Sequence, residues 1–169
     1  MTNTLYIFCG IPFAGKTTLA RALAKSLGYS RIDLDEVKFS LFGEHIKDSA
    51  IDRKAWDRVY KAMYEQIKQC LSRGETVIHD AGNFTRHERG LVRAVANNLR
   101  KDAITVFVDT PIEVAKERLI QNRIASQRFD VTDAEFESTV QEMEVPDEGE
   151  KHIVYTFGTH VDDWVRENF

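Results

Sequence analysis

A chain of 169 residues, 43% apolar and 30% charged, is long enough to close one sizeable core and has the balance of an ordinary globular protein. Its net charge of −4 offers no basic field for a polynucleotide, and two cysteines without C-x-x-C spacing argue against a disulfide framework. Five scattered histidines (His45, His79, His87, His152 and His160) lack the spacing of a zinc site, and no apolar run reaches membrane-spanning length.

In chain order, Leu5-Tyr6-Ile7-Phe8-Cys9 reads as a short buried strand, and the expected compartment is the cytoplasm because no basic leader precedes it. Gly10-Ile11-Pro12-Phe13-Ala14-Gly15-Lys16-Thr17 follows and fits G-x-x-x-x-G-K-[ST], the phosphate-binding loop. Leu19, Ala20, Leu23, Ala24 and Leu27 then recur at helical spacing up to a stop at Gly28. A second strand is predicted at 29–32, a short helix at 33–42 and a loop at 43–51. A long helix at 52–72 carries Trp56, Val59, Tyr60, Met63, Ile67, Cys70 and Leu71 on one face. The third strand is predicted at 76–80. Thr85 with Glu88, Thr110 with Glu113, and Thr132 with Glu135 each read as a capping box opening a helix. Ile104–Val108 is a fourth strand, His152–Tyr155 a fifth, and a short terminal helix begins near Val161. The acidic stretch Glu142–Glu150 reads as a mobile loop.

Strands alternating with helices imply an α/β fold, with a parallel sheet covered on both faces in one domain spanning 1–169. Right-handed crossovers then bring the loops after the strands to one sheet edge. The Walker loop, Asp33 and Asp35, Asp80 to Arg89, and Asp109 all fall there.

Backbone N–H groups of the loop and the positive end of the helix after it suit a polyphosphate. Lys16 can reach the outer phosphates, and the Thr17 hydroxyl can hold a corner of Mg²⁺, so the cofactors expected are ATP and Mg²⁺. Asp33, with Glu36, reads chiefly as the cap of its helix. Asp35 reads chiefly as a general base and otherwise as a helix-dipole partner. Asp80 ends an apolar strand, where it can bind Mg²⁺ or position the acceptor. Arg118, Arg123 and Arg128 fit a lid over 121–132 that closes on the triphosphate, with a solvated helix face as the alternative. Asn83 and Arg86 can face the acceptor or solvent.

The chain resembles the small P-loop kinases grouped as AAA_33-type ATP-binding proteins, which include relatives of polynucleotide 5′-hydroxyl kinases, chloramphenicol phosphotransferase and gluconate kinase. The resemblance rests on Ile7 through Thr18, Asp33-Leu34-Asp35, His79-Asp80-Ala81-Gly82-Asn83 with Arg86, Val106–Asp109, and Arg118 through Arg123. It implies a nucleoside-monophosphate-kinase-like sheet of five parallel strands in the order 2-3-1-4-5. It also implies nucleotide contacts from Gly10, Pro12, Phe13, Ala14, Gly15, Lys16, Thr17 and Thr18. Asp35 would then be the base, Arg123 a transition-state arginine and Arg118 a neighbour of the adenine. Asp33, Lys38, Asp80, Asn83 and Arg86 would face the acceptor. Three positions depart from the pattern. Phe13 stands where a small residue is usual and is expected to lay a ring over the site. Lys38 replaces an arginine common in polynucleotide kinases, and Gly82 replaces a frequent threonine. The activity implied is transfer of the γ-phosphate of ATP to a hydroxyl of a small molecule. A 5′-hydroxyl nucleic-acid kinase is the second reading, and a nucleotide-dependent switch acting through a protein partner the third.

Overall fold

The computed structural model describes residues 3–44, 46–125 and 131–169. Its first strand, β1 (Thr4–Cys9), has Leu5, Ile7, Phe8 and Cys9 at 0% exposure, because it is the middle strand of the sheet and is covered on both faces. Each such side chain contributes roughly 1.5–3 kcal/mol of burial. Around β1 lie β2 (Ser30–Asp33), β3 (Val77–Asp80), β4 (Asp102–Asp109) and β5 (His152–Thr156), all parallel, in the order β2-β3-β1-β4-β5. The order implied by the resemblance is the order observed.

The helices form two layers. On one face α1 (Lys16–Leu27), α5 (Ile112–Ala125), α6 (Asp133–Glu142) and α7 (Val161–Asn168) bury Leu19, Leu23, Leu119, Phe136 and Trp164 around Phe8, Val106 and Val108. On the other, α2 (Leu34–Phe42), α3 (Arg53–Ser72) and α4 (Arg86–Asn98) bury Val37, Val59, Met63, Ile67, Leu71, Val92 and Ala96 around Leu5, Ile7 and Val77. No helix among the described residues is long and apolar enough to cross a membrane.

Two of the three threonine capping boxes form as read, at Thr85 with Glu88 and at Thr132 with Glu135. At the third, the Thr110 hydroxyl donates instead to the Ala14 carbonyl, 2.8 Å away, and ties the β4–α5 corner to the phosphate loop. Within the predicted 43–51 loop, Asp48–Ala50 forms a single 3-10 turn.

The acidic segment before β5 is held rather than mobile. Glu144 N–H donates to Phe84 O at 2.9 Å, and the Glu150 side chain is only 2% exposed. Arg89 makes a forked contact with that carboxylate at 2.8 and 2.9 Å, and Arg93 and Thr105 donate to it at 2.8 and 2.7 Å. Burial pushes the Glu150 pKa up, but the hydrogen bonds from Arg89, Arg93 and Thr105 outweigh it and bring it down to about 2. A run of acids looks solvated in sequence. Here one of them pairs with two arginines of α4.

Candidate active site

The phosphate loop leaves β1 at Gly10, whose φ of +148° suits glycine; a Cβ there would lie 2.8 Å from the Val108 carbonyl. Gly15, at φ +102°, turns the chain into α1 so that Lys16 and Thr17 open the helix. The Lys16 ammonium donates to Gly10 O at 2.7 Å and to Ile11 O at 2.8 Å, across the mouth of its own loop. The loop is also braced from outside. Arg118 on α5 donates to Phe13 O at 3.1 Å and Ala14 O at 3.0 Å, and its guanidinium lies 5.7 Å from the Phe157 ring centroid. Phe157, after β5, has no signal in the sequence beyond being aromatic. Phe13 sits at φ +61° and packs, half-buried, against the Leu19–Phe136 core.

Across the edge, the Thr17 hydroxyl lies 3.3 Å from Asp80 Oδ1. Two oxygen donors of this kind suit a hard cation that keeps most of its shell for water and phosphate. No cluster of three or more His, Cys, Asp or Glu side chains with metal-binding geometry exists among the described residues. Asp80 Oδ2 accepts from Arg31 Nε at 2.9 Å. The same guanidinium contacts Asp33 and, at 2.8 Å, Glu36. Parallel pairing explains why: Asp33 stands opposite Asp80 in the β2–β3 register, and Arg31, two residues earlier, shares their face. Sequence reasoning misses Arg31. Its only signal is the i, i+2 spacing to a site aspartate.

Asp33 caps α2, accepting from Glu36 N–H at 3.0 Å. The box is half made, because the Glu36 carboxylate turns to Arg31. Burial raises the Asp33 pKa to about 6, with the Asp80 charge adding to it and the Glu36 N–H and Arg31 opposing it.

Asp35 lies in the first turn of α2 with its side chain 53% exposed, and Lys38 Nζ donates to it at 2.7 Å. Lys38 does not face an acceptor as the resemblance implied. Its side chain is 3% exposed, it also binds Asp48 Oδ1 at 2.6 Å, and it lies over the rings of Phe39 and Trp56 at 4.9 and 5.7 Å. Burial pulls the Lys38 pKa down, but the hydrogen bonds to Asp35 and Asp48 prevail and hold it up, so it stays protonated.

Three further expectations resolve differently. The Asn83 side-chain amide is buried and donates to Phe8 O at 2.7 Å, with His79 Nδ1 at 3.0 Å; it pins the β3–α4 turn from within. Burial lowers the His79 pKa to about 3, so that ring stays neutral. Arg86 reaches Asp147 at 3.0 Å and Gly149 O at 3.1 Å, on the segment before β5. Arg123 binds Val131 O at 2.8 Å and Asp133 at 2.9 Å, joining the last turn of α5 to the start of α6. Of the proposed lid, 121–125 is the end of α5, while Arg128 lies outside the described residues.

A parallel 2-3-1-4-5 sheet with this loop on its central strand and an aspartate ending the next strand defines a P-loop kinase domain. The chain belongs to the family described as AAA domain (AAA_33), whose model matches residues 5–146. It is 30% identical over 121 residues to a shikimate kinase of Nitratidesulfovibrio vulgaris, covering 70% of this chain and 65% of that protein, so it spans less than two thirds of that relative. It is 31% identical over 145 residues to an adenylyl-sulfate kinase of Lactiplantibacillus plantarum, covering 79% of this chain and 67% of that one. Among solved structures it is similar to Chaetomium thermophilum Kti12 in complex with ADP-AlF3, at 21% identity and a TM-score of 0.72, covering 96% and 97% of the two chains. It is also similar to the Mycobacterium tuberculosis APS kinase CysC, at 18% identity and 0.69, covering 98% and 95%. At these identities the solved structures speak for the fold alone.

Proposed function

We propose that this protein transfers the γ-phosphate of ATP, with Mg²⁺, to a hydroxyl of a small molecule, and that 1–169 acts as one kinase unit. The observation that carries the reading is the approach of the Thr17 hydroxyl to Asp80, 3.3 Å apart, beside the Lys16 ammonium and on the same edge as Asp35. Phosphoryl transfer needs a cradle for the triphosphate, a cation, a group for the acceptor proton and positive charge on the migrating phosphoryl. Gly10 to Thr18 form the cradle. Lys16 exchanges two loop carbonyls for phosphate oxygens, and Thr17 and Asp80 would hold a Mg²⁺, which would supply positive charge against the triphosphate. Asp35 takes the acceptor proton, its carboxylate oriented by Lys38. Arg118, whose guanidinium lies 5.7 Å from the Phe157 ring centroid, marks the adenine end, and Arg123 supplies positive charge to the phosphates. Asp33 caps α2 and is not the base.

The test is the fate of labelled γ-phosphate when the purified protein, ATP and Mg²⁺ meet a metabolite library. Label on an acceptor that depends on Asp35 supports the proposal. Free phosphate as the sole product, at a rate indifferent to every acceptor, would replace it with the switch reading.

A further inference from the structure

Resting on the kinase reading above, we infer that the acceptor is an uncharged hydroxyl compound, lacking carboxylate, phosphate or sulfate, and that it meets the protein through an aromatic face. The phosphate loop takes the triphosphate, so the acceptor approaches over the β2–β3 end of the edge, past Asp35 and the β3–α4 turn. An anionic acceptor needs a cation there that it can engage. Arg31 is shared among Asp33, Glu36 and Asp80. Lys38 is shared between Asp35 and Asp48 and is sealed under Phe39 and Trp56. Arg86 is turned to Asp147. Arg58 lies against Phe42, at the end of α2 remote from Asp33. Carboxylates outnumber their cations in both the Arg31 and the Lys38 groups. Among the described residues at this end of the edge, Arg31, Lys38 and Arg86 are already bonded to carboxylates, so an incoming anion meets net repulsion.

A second observation comes from the departure at position 82. A Cβ on Gly82 would lie 2.4 Å from the Phe84 ring, so that ring fills the space a side chain there would need. The ring centroid is 5.7 Å from Lys16 Nζ, which puts an apolar plate beside the point of transfer. Its π-face carries partial negative charge, which suits the C–H face of a sugar, cyclitol or aromatic alcohol and not a carboxylate. Arg89 fixes this wall, donating to Asn83 O and Phe84 O at 3.2 Å each. The same logic disfavours a 5′-hydroxyl end of nucleic acid, whose neighbouring phosphates arrive with the hydroxyl.

The test uses pairs of compounds sharing a skeleton and differing in charge: gluconate and glucitol, shikimate and its methyl ester, a nucleoside 3′-phosphate and the nucleoside. Transfer from γ-labelled ATP is measured for each pair. Binding to the protein loaded with a non-hydrolysable ATP analogue is measured by saturation-transfer NMR. The neutral member is expected to be preferred by about tenfold or more. Asp48→Asn, which releases one partner of Lys38, should narrow that ratio, and Phe84→Ala should weaken binding of the ring-bearing neutral members. An acid bound or phosphorylated as well as its neutral partner overturns the inference, whatever becomes of the kinase reading. Neutral compounds bound with no label transferred would leave the inference standing and overturn the kinase reading.

Discussion

Two groups built from the same residue types, arginine and carboxylate, in opposite proportions behave in opposite ways. At the site edge, one guanidinium, Arg31, serves Asp33, Glu36 and Asp80, and the Asp33 pKa rises to about 6. Under β5, two guanidiniums and a hydroxyl serve the single carboxylate of Glu150, and its pKa falls to about 2. Burial opposes ionisation in both, so burial does not decide. The ratio of donors to carboxylates does. A group with donors in excess rigidifies the fold. One with carboxylates in excess holds negative charge in reserve for a cation, as a phosphoryl-transfer site requires. Function should therefore suffer when the first group is altered, and stability when the second is.

The largest effects expected are on turnover. Lys16→Ala removes the phosphate-facing cation and should cost several kcal/mol of transition-state stabilisation, about the worth of one such electrostatic contact, with the thermal midpoint nearly unchanged. Asp35→Asn keeps the shape but cannot accept a proton, and should slow turnover by roughly 10²–10⁴-fold with nucleotide affinity preserved. Steady-state kinetics beside calorimetry checks both. Near-normal rates in either variant would remove the site from this edge.

The converse belongs to Glu150. Glu150→Ala leaves Arg89, 1% exposed, as a buried charge without its counter-ion, and should destabilise by about 3–5 kcal/mol in urea titration. Replacing the pair together, Arg89→Met with Glu150→Leu, should recover much of that loss. Nucleotide affinity of the folded fraction should hold in both, apart from what the Phe84 wall loses with Arg89.

How far the sequence carries the fold follows the same division. The loop, the strands and the two threonine caps are local, decided within a few residues, and they form as read. Asp35 and Lys16 are legible because a motif fixes their place relative to one strand and one helix. The Arg31–Asp80 and Arg89–Glu150 contacts span 49 and 61 residues, and local patterning carries no trace of them. Glu150 reads as one more acid in a polar run, and Arg89 as a residue that can face either acceptor or solvent, until the crossover to β5 brings them together. Gly82 stands out in sequence as a departure, but that Phe84 fills its space depends on a rotamer that spacing does not determine.

The pH dependence of stability tests the contrast without any substrate. Glu150, lowered from 4.5 to about 2, contributes stability that is full above 4.5 and is lost as pH falls through 2. Asp33, raised from 3.8 to about 6, acts the other way: its contribution is full below 3.8 and is lost as pH rises through 6. Unfolding free energy, measured from pH 2 to 8 without nucleotide or metal, should therefore fall at the acid end through Glu150 and decline from about 4 to 6 through Asp33. Glu150→Gln should flatten the acid limb. Asp33→Asn, which keeps a good helix cap, should remove the decline that Asp33 causes. An unchanged profile in Asp33→Asn would mean that burial beside Asp80 does not raise the Asp33 pKa.

The smallest effect is expected at Arg86, which separates the two groups by location. The resemblance placed it on the acceptor side, whereas its side chain, 54% exposed, bonds to Asp147, 63% exposed, and to the Gly149 carbonyl. Exposed pairs of this kind contribute about 0–1 kcal/mol and weaken as salt screens them. Arg86→Ala should thus shift stability within that range, less so in high salt, because the Glu144–Arg86 N–H bond and the buried Glu150 group still hold the segment. With the Phe84 wall intact, acceptor KM and turnover should change by less than about threefold, a few tenths of a kcal/mol on the tenfold scale. A large rise in acceptor KM with unchanged nucleotide affinity would show that Arg86 leaves Asp147 to meet the acceptor, and would return a usable cation to that side of the site.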